Sequence, residues 1–94
     1  MCTNISETVP AAGAAKGGAG WFPVTAANVG FDHAVGSRFD HALLLDFVDP
    51  ERGPSARVAV ELDLKTGRAL LAALQSVIEA AERSGAPVQH VRRR

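Results

Sequence analysis

Alternating apolar and polar residues run through the first two-thirds of the chain and predict four β-strands. The clearest alternation lies at 55–62, where four aliphatic side chains interleave with polar or small ones. Weaker alternation predicts strands over 2–9, which Pro10 ends, and over 24–33. The segment 41–48 is apolar on both alternations, which is typical of a strand that is central in its sheet or covered from both sides.

After Asp63 the apolar residues change to a helical spacing. Asp63 suits an N-cap, and the spacing predicts a helix from Leu64 to Ser84, which Gly85 and Pro87 end. Its apolar stripe comprises Leu70, Leu71, Leu74, Val77, Ile78 and Ala81. The predicted fold class is therefore α+β, a four-stranded antiparallel sheet with one C-terminal helix packed on one face.

The element pattern also predicts the domain organisation. Residues 1–86 form one α+β domain, and 11–20 form a flexible loop because they are almost all Gly and Ala and show no periodicity. Residues 87–94 form a basic C-terminal tail. The turn at 49–54 joins the third and fourth strands and predicts that Asp46 pairs with Arg57 across them.

A single helix covers only one face of such a sheet. The other face still presents Leu44 and Val48, with Trp21 nearby, and needs a cover. We therefore expect a homodimer that forms through this face.

The tetrapeptide Phe-Asp-His-Ala occurs twice, at 31–34 and at 39–42, on either side of a plausible chain reversal. If three residues form the turn, His33 lies directly opposite His41, with Cβ atoms about 4.5–5.5 Å apart. A two-residue turn would oppose His33 to Asp40 and place the two rings on opposite faces. The apolar pattern favours the first register, since both histidines then share the more apolar alternation of their strands.

Two imidazoles at that distance can share a divalent transition metal such as zinc, iron or manganese, but a stable site needs a third ligand. Glu7 is the best candidate because it lies on the apolar alternation of the first strand, where an unpaired carboxylate is costly. Cys2 is the other candidate, especially if Met1 is removed. Asp32 and Asp40 point to the other face in this register and are assigned turn or supporting roles.

Three functions follow from this pattern. The leading one is metal binding through His33, His41 and Glu7 or Cys2. The second is a protein–protein interaction module, or a homodimeric regulatory or structural protein without chemistry, in which hairpin histidines make only ordinary hydrogen bonds. The third is a small enzyme that uses His33 or His41 as a general base. Short motifs alone do not decide between them.

Charge and cysteine content limit the partners and the cellular compartment that we expect. Ten basic and ten acidic side chains cancel, so no long-range field attracts nucleic acid or an anionic membrane. The single cysteine excludes an internal disulfide and favours a reducing compartment. No apolar run reaches the roughly 18 residues of a membrane span, and the amino end lacks a signal pattern, so we expect a cytoplasmic protein.

Four short motifs resemble a known family: Met-Cys-Thr at 1–3, Gly-Trp-Phe-Pro at 20–23, Phe-Asp-His at 31–33 and Gly-Pro-Ser-Ala-Arg-Val at 53–58. The chain is similar over about residues 1–80 to a family of small uncharacterised proteins, a domain of unknown function, from high-GC Gram-positive bacteria. This resemblance implies a bacterial cytoplasmic origin and no particular activity.

Overall fold

The computed structural model describes residues 5–85. Its elements are β1 (Ile5–Gly17), β2 (Gly20–His33), β3 (His41–Val48), a 3-10 turn (Pro50–Arg52), β4 (Arg57–Leu62) and α1 (Leu64–Arg83). One four-stranded antiparallel sheet and a single C-terminal helix confirm the predicted α+β class and its elements.

The strands follow one another across the sheet in the order β1-β2-β3-β4, and each runs antiparallel to the next. Short connections between sequential strands favour this meander, because a hairpin is the least costly way to pair them. β3 has a hydrogen-bonded neighbour on each side, as its apolar residues on both alternations predict.

The segment 11–20 differs from the prediction of a loop. β1 continues through Pro10 to Gly17, with a register shift between Pro10 and Gly13, and β2 begins at Gly20. The prediction failed because Ala and Gly carry no period-two signal, although their backbones pair normally. Pro10 does not end the strand, because β1 lies at the sheet edge, where a proline is tolerated at a bulge.

The main apolar cluster of the sheet lies near the turn that joins β1 to β2. Phe22, Val24 and Ala56 are buried there, and Phe47 and Val58 pack against them. A Cβ added to the adjacent Gly17 would lie 3.3 Å from the Phe22 ring, so a side chain there would press on this cluster. The small residues of β1 thus leave space for the phenylalanine.

The connection between β3 and β4 is held by a buried carboxylate, Asp49, which is 6% exposed. Its Oδ2 lies 3.1 Å from Nε of Arg52, and its own N–H donates to the carbonyl of Ala56. These bonds tie both ends of the turn together.

The predicted ion pair between Asp46 and Arg57 is present, with Nε donating to Oδ1 at 2.6 Å. Their register is nevertheless two residues off the prediction, since Asp46 faces Ala59 and Val48 faces Arg57. The pair is diagonal, and a shift of two residues keeps both side chains on one face.

The chain divides into two compact units between Leu64 and Lys65. The helix of the second unit begins after Asp63 and ends at Arg83, and Gly85 follows with φ of 76°. None of the residues Leu64–Arg83 is buried. Among residues 5–85, no helix combines the length and the hydropathy that crossing a membrane requires. The predicted basic tail at 87–94 lies outside the described residues.

Candidate metal site

The two copies of the tetrapeptide pair with each other at the end of the β2–β3 hairpin. His33 lies directly opposite His41 as the last pair of the ladder, which confirms the predicted register. Just beyond it, the N–H of Ala34 donates to the carbonyl of Asp40 at 3.1 Å and closes the connection. We call residues 34–40, which connect the two histidine-bearing strand ends, the histidine loop.

The two imidazoles face each other across the ladder. Their ring centroids are 4.5 Å apart and the ring planes are inclined by 37°. The His41 ring also stacks on Phe31, at 5.7 Å and 22°, because diagonal neighbours on one sheet face come within reach of each other. This stacking limits the rotation of His41.

The Asp32 carboxylate contacts His33, although the alternation along β2 predicts that its side chain points to the opposite face. Asp32 pairs with Ala42 on the backbone ladder, but its Oδ1 accepts the His33 N–H at 2.7 Å and lies 3.1 Å from Nδ1 of that ring. A carboxylate only accepts, so in the metal-free protein the contact favours the tautomer with the proton on Nδ1. The His33 backbone N–H, followed by its side chain, holds the pKa of Asp32 below its usual value.

Asp32, His33 and His41 each offer a ligand atom, and these atoms all lie within 4.8 Å of one another. We call these three residues the His–Asp cluster. The His33 side chain is 54% exposed and the other two residues are half-buried, so the cluster is open to solvent.

The structure does not bring the other predicted ligand within this group. β1 does neighbour β2, but Glu7 lies opposite Val29, four residues along β2 from His33, or about 13 Å at a strand's rise. Cys2 lies outside the described residues. Asp40 is exposed in the histidine loop, where its carbonyl accepts the Ala34 N–H.

Sequence reasoning missed one residue beside the cluster. The Glu61 carboxylate on β4 accepts N–H groups from three successive residues of the histidine loop: Val35 at 2.7 Å, Gly36 at 3.0 Å and Ser37 at 2.7 Å. We call this arrangement the Glu61 latch. These N–H groups, those of Val35 and Ser37 first, hold the pKa of Glu61 below its ordinary value. In the sequence, Glu61 is recognisable only as a polar residue of an alternating strand. Its partners are backbone N–H groups, which no residue type reveals.

The comparisons with known proteins give a family and no activity. The sequence model of a family of unknown function (DUF6295) matches residues 1–87, so the chain belongs to that family. No curated protein and no solved structure matches the chain. The chemistry has to be argued from the cluster itself.

Proposed function

We propose that this member of the DUF6295 family binds a divalent transition-metal ion through His33, His41 and Asp32. The observation that carries the proposal is the convergence of two imidazoles and one carboxylate, with ligand atoms within 4.8 Å of one another. The match between the two copies of Phe-Asp-His-Ala supports it, since their pairing creates the convergence.

The ligand set suits a small group of ions. Imidazole and carboxylate together bind zinc, iron and manganese well, and two histidines with one carboxylate leave positions for further ligands. Nitrogen or oxygen ligands of one tetrahedral zinc ion lie roughly 3.3 Å apart. The ligand atoms, now within 4.8 Å of one another, therefore have to close by up to about 1.5 Å, and the exposure of the side chains permits that.

Asp32 contributes negative charge to the site. Its Oδ1 lies 3.1 Å from Nδ1 of His33, a separation at which both atoms can bind one ion once Nδ1 has given up its proton. An ion bound there replaces the contact between the carboxylate and the ring N–H.

Three protein ligands at an open hairpin end indicate an exchangeable ion. Water, a small substrate or a group from another molecule fills the remaining positions. We expect chelators to remove the metal readily, in contrast to a structural zinc site with four protein ligands.

The test measures metal content and zinc affinity together. Untagged protein is purified without chelators, analysed by plasma mass spectrometry and titrated with Zn²⁺ by calorimetry. His33→Ala and His41→Ala each remove one imidazole and should weaken zinc binding at least tenfold, as for the loss of a ligand or its support. His90→Ala removes the third histidine of the chain and is the matched control, which should bind like the wild type.

Two further variants test the other predicted ligands. Glu7→Gln and Cys2→Ser should leave the affinity unchanged if the His–Asp cluster is the site. A large loss in either would reassign the third ligand, and wild-type protein that binds no zinc at micromolar concentrations would overturn the proposal.

A homodimer is the second candidate function, and exposed apolar side chains favour it. Within the sheet unit, Trp21 is 72% exposed and Val9 is 52% exposed. Exposed apolar surface of a small protein can be covered by a partner, and a second copy is the commonest partner. Light scattering on the eluting protein gives its mass, and a monomer at all concentrations would contradict this candidate.

A further inference from the structure

The histidine loop connects the two metal-binding strands, yet few of its own contacts hold it. Val35 is 95% exposed, and Gly36, Arg38 and Phe39 are exposed as well. Among backbone bonds of the described residues outside helices and strands, the Ala34–Asp40 bond alone joins two residues of this loop. A loop with so little buried apolar surface needs another restraint to keep one conformation.

We propose that Glu61 is the positioning residue of the metal site: its carboxylate latches the histidine loop and thereby holds His33 and His41 in register. The metal part of this inference rests on the proposed function. The positioning part concerns the apo protein and is tested without metal.

The geometry of the latch supports a strong and specific restraint. Oε2 accepts the Val35 N–H, while Oε1 accepts those of Gly36 and Ser37, at 2.7–3.0 Å. Successive backbone N–H groups that converge on one point form a concave site for an anion. Charged acceptors make the shorter and stronger hydrogen bonds of this kind.

The latch acts across strands. Glu61 pairs with Leu44, which lies three residues after His41, while Val35 lies two residues after His33. The carboxylate therefore ties the beginning of the loop, which leaves β2, to a strand on the far side of β3. Without this tie, the terminal His33–His41 pair is free to fray, because the ends of a ladder open most easily.

Fraying would separate the imidazoles before a metal binds. The ion would then have to bring the two rings back together, and that ordering reduces its apparent affinity. The hydrogen bonds of the Glu61 carboxylate go to the loop backbone and not to the proposed ligands, so its effect passes through the loop.

The decisive variant is Glu61→Gln. An amide has one acceptor oxygen, so the nitrogen that replaces the other oxygen cannot accept an N–H, and at least one of the three donors loses its partner. Glu51→Gln is the matched control, because it makes the same charge change at an exposed residue of the opposite loop. Both variants keep the length of the side chain.

Three readouts separate the steps. In apo protein, NMR hydrogen exchange reports on the amides of 35–37, and the NOE between the His33 and His41 ring protons reports on the register of the rings. Zinc titration then gives the affinity. We expect Glu61→Gln to lose amide protection, weaken the ring–ring NOE and reduce zinc affinity by about threefold to tenfold, while Glu51→Gln changes none of these.

Each result has a definite meaning. Unchanged protection at 35–37, or an unchanged ring–ring NOE despite lost protection, would overturn the positioning role whatever the zinc result. If the ring–ring NOE is lost but the zinc affinity is unchanged, the Glu61 latch does not contribute to metal binding. Wild-type protein that binds no zinc but shows the expected apo changes would overturn the proposed function and leave Glu61 as the residue that positions the histidines.

Discussion

The two ends of β3 are built differently, although an acidic side chain organises the loop at each end. At the far end, Asp49 is buried beside the Phe22 cluster and bonds to its own turn. At the near end, Glu61 reaches from the next strand to a loop whose residues are mostly exposed. The first end is held by burial and local bonds, and the second by one backbone bond within the loop and by the Glu61 carboxylate.

This difference separates stability from chemistry within a small sheet. Apolar packing at the far end contributes to folding, and it needs side chains removed from water. The proposed metal ligands would need access to solvent and freedom to close on an ion, and they lie where little is buried. A polar latch supplies order there without covering the imidazoles.

The largest expected effect comes from a substitution in the apolar cluster at the Asp49 end of β3. Phe22→Ala removes the buried phenylalanine of the apolar cluster and should lower the free energy of unfolding by about 3 kcal/mol. Urea denaturation followed by Trp21 fluorescence measures this loss.

The comparison further predicts that Phe22→Ala protein, studied where it is still folded, binds zinc as the wild type does. A tenfold loss of affinity in folded protein would show that the two ends are coupled and would contradict the separation.

Asp32→Asn tests the charge at the exposed end. Asparagine keeps an oxygen that can accept the His33 N–H but loses the negative charge, so zinc affinity should fall about tenfold. The urea midpoint of the metal-free protein should hardly move, because the carboxylate is half-exposed. Asp40→Asn, a neutralised carboxylate in the exposed loop, is the control, and an equal loss of affinity in both variants would point to general electrostatics.

The smallest effect is a pH dependence confined to the histidine loop. The pKa of Glu61 is lowered from an ordinary value of 4.5 by the loop N–H groups. Its contribution to loop order is therefore complete above pH 4.5 and is lost as the pH falls through the lower pKa of the folded state.

We expect the amide shifts of 35–37, followed by NMR in apo protein, to move with a midpoint below pH 4.5. Glu61→Gln should abolish this transition, whereas Glu51→Gln should retain it. A midpoint above 4.5 would mean that the latch does not favour the charged carboxylate.

Local patterns were sufficient for most of the fold. Alternation and turn residues predicted β3 with its observed bounds and α1 to within one residue at its end. They failed over 11–17, where Ala and Gly form a strand without a periodic signal, and at Pro10, whose effect depends on its place at an edge.

The candidate site was predictable in part for the same reason. The repeated tetrapeptide and parity placed His33 opposite His41, because pairing in a hairpin follows from turn length and face. Parity misled for Asp32, since it fixes the direction of Cβ while the carboxylate reaches the backbone and ring of its neighbour. The sequence places Glu7 on the same sheet face as the histidines, but the register of β1 sets it opposite Val29 and away from them.

The sequence by itself therefore determined the number and order of strands and helix, the bounds of β3, the histidine pair and the resemblance to a family of unknown function. Only the tertiary structure decided the register of β1, the carboxylate that joins the histidines and the latch formed by Glu61. Local periodicity sets which way a side chain leaves the backbone. Contacts between a side chain and the N–H groups of a distant loop depend on how whole strands align, and no residue type in that loop records them.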